Sequence, residues 1–130
     1  MIFGFDLNGT ITEEPEAFQE IMAGLVQRGH EVHIVTGAMP SLPNFVDRDY
    51  ETFMVRLKDQ GFLPGVHFTH FEIIVVDGVS AQAKARGEYC RATGMVMMFE
   101  DRSDQAEEIR KHCRVVMMWP SYSKEVQWPI

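Results

Sequence analysis

Five short apolar runs, each followed by a turn or a helical pattern, set the main constraint on this chain: Ile2–Asp6, Glu31–Thr36, Phe71–Val76, Met95–Glu100 and Arg114–Met118. Each is nearly continuous in Val, Ile, Met and Phe rather than alternating with polar residues. That pattern belongs to strands covered on both faces. Strands of this kind alternating with helices predict an α/β fold, a three-layer sandwich around a mainly parallel five-stranded sheet.

The intervening segments carry helical spacing. Phe18, Ile21, Met22 and Leu25 fall at i, i+3, i+4 and i+7, one apolar face of a helix opened by Pro15 and closed by Gly29. Tyr50, Phe53, Met54 and Leu57 repeat the spacing before Gly61. A third helix is expected over Ser80–Ala92 and a fourth over Ser103–His112, with Asp104, Glu107 and Glu108 near its positive end. The least regular stretch is Gly37–Asp47. The segment 119–130, with two Trp and two Pro, reads as an irregular tail on a single domain spanning 1–130.

Composition narrows the functional classes. At 130 residues and 45% apolar content the chain can bury a substantial core. No apolar run approaches the roughly 20 residues of a membrane span, and no basic flank precedes the first one. The expectation is a cytoplasmic protein with no membrane partner. Cys90 and Cys113 lack ligand-like spacing and read as reduced thiols. A formal charge of −7 argues against binding a nucleic-acid backbone. It is compatible with a small phosphorylated substrate held through a cation.

In an open parallel sheet, ligands bind beyond the carboxyl ends of the strands. Those ends carry Asp6, then Thr36-Gly37, then Asp77-Gly78, then Glu100-Asp101. Carboxylates gathered at one edge repel unless protonated or bridged by a cation. Hard oxygen ligands with room for water suit Mg²⁺.

The start of the chain, Phe5-Asp6-Leu7-Asn8-Gly9-Thr10, resembles the first motif, Asp-x-Asp-x-Thr, of the haloacid dehalogenase (HAD) superfamily of phosphotransferases. Thr36, Lys84 and Glu100-Asp101 resemble its second, third and fourth motifs in the same order. The resemblance implies a Rossmann-like domain of the minimal, capless type, and an Mg²⁺-dependent phosphatase. Asp6 would be nucleophile and metal ligand, and Asn8 would bind metal through its carbonyl. Thr36 with the Gly37 backbone would hold the phosphoryl group, beside Thr10. Lys84 would neutralise charge, Asp101 would bind metal directly, and Glu100 would act through water. Arg102 reads either as a substrate contact or as a surface arginine.

Asn8 stands where the family carries a second Asp. An amide cannot act as general acid or base, a role worth ~10²–10⁴ in rate. The implied activity is therefore slow hydrolysis through an aspartyl-phosphate. The chain could be a slowed variant, a member using another base or binding without turnover, or one whose labile Asn8-Gly9 regains a carboxylate by deamidation. The runner-up is a non-catalytic phosphate- or metal-binding module of the same family. A nucleic-acid end phosphatase is a third reading, which the charge opposes. An open, capless site also allows closure by a second copy in a homo-oligomer.

Asn-Gly between apolar segments is equally a hairpin signal, set aside here because Pro15 starts a helix soon after. Asp77 reads as a turn residue or as part of the site rim. His30 with His33, and His67 with His70, are three apart. In extended chain such pairs face opposite sides of a sheet, which argues against a histidine metal site. The nine methionines read as core filling.

Overall fold

The computed structural model describes residues 1–43, 45 and 48–118. Five strands, β1 (Ile2–Asp6), β2 (Glu31–Ala38), β3 (His70–Val75), β4 (Met97–Glu100) and β5 (Arg114–Met117), form one sheet in the order β3-β2-β1-β4-β5. Every pairing is parallel. The helices are α1 (Pro15–Gln27), α2 (Tyr50–Asp59), α3 (Val79–Thr93) and α4 (Ser103–Ile109). The α/β class and the five strands therefore stand, with an all-parallel sheet. β2 runs two residues past Thr36, β4 starts two residues later than its apolar run, and α4 stops before His112. The proposed tail, 119–130, lies outside the described residues.

Alternation along the strands divides the core into two layers. Phe5, Val32 and Ile34 face one side with Phe18 and Met22 of α1 and Phe53 and Leu57 of α2. Phe5 stacks on Phe99 at 4.6 Å and meets Phe18 edge-on at 5.9 Å. Val35, Ile74 and Met98 face the other side with Cys90 of α3 and Ile109 of α4. Ile21, placed by its spacing on the buried face of α1, is 46% exposed and lies at the margin.

Asn-Gly does not make a hairpin. After β1 the chain winds through one wide turn, Leu7–Ile11, in which Gly9 has φ of 82°. Three more residues, Thr12 to Glu14, lead into α1. Gly9 is required twice over: its φ is positive, and a Cβ there would collide with the Asp101 carboxylate. Asp49 caps α2 by accepting from the Thr52 N–H at 2.7 Å. No described helix is long and apolar enough to cross a membrane.

Candidate functional site

The chain leaves β1 for β2 and β3 on one side and crosses to β4 on the other, so strand order reverses at β1. The crevice at such a switch point is where open α/β sheets bind ligands. Here it brings together Asp6 from the end of β1, Thr36 and Gly37 from β2, and Glu100 from β4. All four, with Asn8 and Arg102, line a cavity of about 210 Å³. Thr10 sits beside it, its hydroxyl donating to Asp101 Oδ1 at 3.4 Å.

Lys84 is absent from this group and lies on the exposed face of α3. The cation that meets the carboxylates is Arg86, which sequence reasoning missed. Its Nη1 donates to Asp6 Oδ1 at 2.8 Å and to Glu100 Oε2 at 3.1 Å, with all three side chains buried. Two residues along a helix is about 200° of rotation, so Lys84 and Arg86 point away from each other. The signal was present: Ala83, Arg86, Gly87 and Cys90 share the buried face at helical spacing, and an arginine among small residues there needs a partner.

Glu100 is fully buried and its other oxygen accepts from the N–H groups of Asp101 and Arg102, at 3.1 and 3.2 Å. Burial drives its pKa upward to about 9, helped by the Asp6 charge and opposed by Arg86. Burial also lifts Asp6, to about 7; Arg86 pulls it down, while a hydrogen bond to Asp101 adds to the rise. Arg86 is held fully protonated: burial alone would weaken its proton, but the charges of Asp6 and Glu100 outweigh that. At neutral pH the cluster is thus partly protonated around one guanidinium. One carboxylate oxygen each from Asp6, Glu100 and Asp101 lie within 4.8 Å of one another. A hard cation is suited to such a set, provided it displaces protons.

Gln82 of α3 closes the floor. Its amide nitrogen donates to the carbonyls of Ile74 at 2.7 Å, Val76 at 3.0 Å and Ala38 at 3.3 Å, tying β2 to β3 where they end. Gly37 lets this side chain come close, since a Cβ there would overlap the Gln82 amide. Asp77 acts on the loop after β2, accepting from the N–H and hydroxyl of Ser41 at 2.9 and 2.7 Å. Arg102 is half exposed and forked onto Asp104 at 2.6 Å.

Gln82 Oε1, Arg86 Nε and Gln105 Oε1 are buried with no hydrogen-bond partner among the described residues. All three belong to residues lining this one cavity. A larger cleft of about 800 Å³ beside α4 and β5 has no such orphaned atoms among the residues that line it. Unmet polar atoms, not volume, mark the smaller cavity as the site.

No protein-family model matches the chain, and no curated protein sequence does. Solved structures share its fold. One is a protein from the universal stress protein family from Burkholderia pseudomallei, 16% identical, with a TM-score of 0.53, over 90% of this chain and 94% of that one. Another is a universal stress protein in complex with cAMP, 10% identical, with a TM-score of 0.56, over 93% of this chain and 98% of that one. These neighbours overturn the resemblance to the HAD superfamily. With it go the phosphohydrolase acting through an aspartyl-phosphate, the assignment as an enzyme, and the HAD-like binding module offered as the alternative. The geometry gives the physical reason. Asp6 is clamped by Arg86 instead of standing free as a nucleophile, and Lys84 faces away. The HAD motifs are short and built from residues that any parallel sheet collects at its strand ends.

Proposed function

We propose that the chain binds a phosphorylated small molecule of the nucleotide class, without turning it over, in the crevice at the carboxyl ends of β1, β2 and β4. The observation that carries this reading is the trio of orphaned buried atoms around one cavity. Each unmet group costs about 1–3 kcal/mol unless water or a ligand satisfies it. One N–H donor and two amide oxygens match a ligand that has both anionic oxygens and hydroxyl or amino groups. Arg48, Arg86 and Arg102 line the same cavity and supply positive charge for a phosphate. A protein of the same fold in complex with cAMP supports the ligand class. A cavity of about 210 Å³ is too small to enclose a nucleotide, so phosphate and sugar enter while the base rests in the open mouth.

Asp6, Glu100 and Asp101, with Asn8 at the rim, would hold Mg²⁺ in this reading. The ion would supply charge neutralisation between the carboxylates and the ligand's phosphate. The reading also places the protein in a reducing cytoplasm, consistent with Cys90 and Cys113 as free thiols.

Calorimetric titration with cAMP, AMP and ATP, each with and without Mg²⁺, tests the proposal. At least one should bind in the micromolar range, and Arg102→Ala and Thr36→Val should each weaken it several-fold. Absence of heat and of thermal stabilisation with all three at millimolar concentration removes the nucleotide reading.

A further inference from the structure

At the opposite edge of the sheet, β2 and β3 begin beside each other, and the parallel register pairs His33 with His70. Their rings stack at 4.2 Å. Glu31 lies two residues before His33, so its side chain emerges on the same face of β2. Its Oε1 is 3.1 Å from His33 Nε2 and 3.5 Å from His70 Nδ1. One ligand atom from each of the three residues lies within 4.8 Å of the others.

We propose that Glu31, His33 and His70 form a binding site for a divalent transition metal, with Zn²⁺ as the favoured ion. Two imidazole nitrogens and one carboxylate oxygen are a standard zinc donor set, leaving a fourth position for water. Bonds of about 2.0–2.2 Å in a tetrahedron put donors roughly 3.3–3.6 Å apart. Of the two separations in the structure, 3.5 Å falls within that range and 3.1 Å just below it. Small rotations of two half-exposed side chains, Glu31 and His70, complete it.

The surroundings of His33 prepare it as a ligand. Its Nδ1 is 2.7 Å from the Tyr89 hydroxyl of α3, a partner that fixes the ring and leaves Nε2 for the metal. Glu72 adds negative potential. His70 Nδ1 also lies 2.8 Å from the Thr69 hydroxyl, whose oxygen already takes the Val32 N–H and donates to the Val32 carbonyl. Metal binding therefore requires the His70 ring to carry its proton on Nε2 and give up the Thr69 contact.

The test uses the chelator-stripped 130-residue chain with excess Mg²⁺ present to occupy hard oxygen sites. Zn²⁺ is titrated by calorimetry, and the imidazole nitrogens are followed by NMR. One equivalent of Zn²⁺ should shift His33 Nε2 and His70 Nδ1 together. His70→Ala and Glu31→Gln, at partly exposed positions that spare the core, should each weaken binding by roughly 10–100-fold. Asp101→Asn, at the other edge, should leave it unchanged. Unmoved histidine resonances, or Zn²⁺ affinity that survives His70→Ala, overturn the proposal.

Discussion

The two edges of the sheet gather charged groups in opposite ways. At the carboxyl edge, three carboxylates crowd a buried guanidinium, and burial holds two of them in or above the neutral range. At the amino edge, two histidines and a glutamate meet where only His33 is buried, and burial lowers its affinity for a proton. Desolvation is the dominant cause in both places, but it acts on acids at one edge and on a base at the other. The two proposals divide along the same line: an anion with a hard cation at the carboxyl edge, and a softer metal at the amino edge.

The largest expected effect comes from removing Arg86. Arg86→Met leaves Asp6 and Glu100 buried without their cation, and breaking such a cluster costs about 3–5 kcal/mol. Urea unfolding at pH 7.5 should show a loss of that size. At pH 5 the loss should shrink, because both carboxyls then carry protons. An equal loss at both pH values would mean that packing, not charge, is what Arg86 contributes.

Next in size is the pH dependence, where the two edges have opposite signs. Asp6 and Glu100 bind protons more tightly folded than unfolded. Their contribution is complete in acid and is lost as pH rises through about 7 and then about 9. The slope is at most about 1.4 kcal/mol per pH unit for each proton. His33 binds its proton less tightly when folded, so its contribution is present above its ordinary value of 6.5 and is lost below it. In chelator, urea midpoints should fall from pH 6.5 towards 9, and Glu100→Gln should flatten that limb while leaving the acid limb in place. A wild-type midpoint that rises towards pH 9 contradicts the burial of the carboxylates.

Gly9→Ala probes the carboxyl edge alone. A positive φ at a non-glycine residue costs of order 1–3 kcal/mol, and the new methyl group would displace Asp101. Lower thermal stability together with weaker Mg²⁺ binding is expected, with Zn²⁺ binding at the amino edge unaltered.

How far the sequence revealed each edge follows from how each is assembled. The carboxyl edge is built from strand ends, and an apolar run that stops at Asp6 or Glu100-Asp101 announces its polar residue in one dimension. The strands, and the part of the cavity lining that sits at their ends, were legible for that reason, whereas Gln82, Arg86 and Gln105 on the helices were not. Thr36 is placed inside β2 rather than at its end, because two small residues, Gly37 and Ala38, continue the strand with no change in hydropathy large enough to mark the boundary. The amino edge was hidden. In sequence His30 lies near His33 and His67 near His70, while the structure pairs His33 with His70 through register, a property of the fold and not of either segment. The family assignment failed for a related reason. Its motifs recorded residue types at strand ends, which are common to many parallel sheets, and not the contacts between them.

Lys84→Ala has the smallest expected effect and separates the two readings of α3 most cleanly. If Lys84 neutralised charge at the site, its loss would weaken nucleotide binding and alter the titration of Asp6. The structure instead places it on the exposed face, where it joins Lys111 in pulling the Glu108 carboxyl of α4 downward. Stability should change by no more than about 0.5 kcal/mol, as for an ordinary surface substitution. Nucleotide affinity, measured by the same calorimetry, should match the wild type. The paired variant Arg86→Lys keeps a positive charge but lacks the rigid planar group whose Nη1 reaches both Asp6 and Glu100, so it should recover part of what Arg86→Met loses. If Lys84→Ala weakens binding while Arg86→Lys does not, helix α3 is rotated in solution from the position that brings Arg86 to the carboxylates. The floor formed by Gln82, one turn before Arg86 on the same face, would then have to move with it.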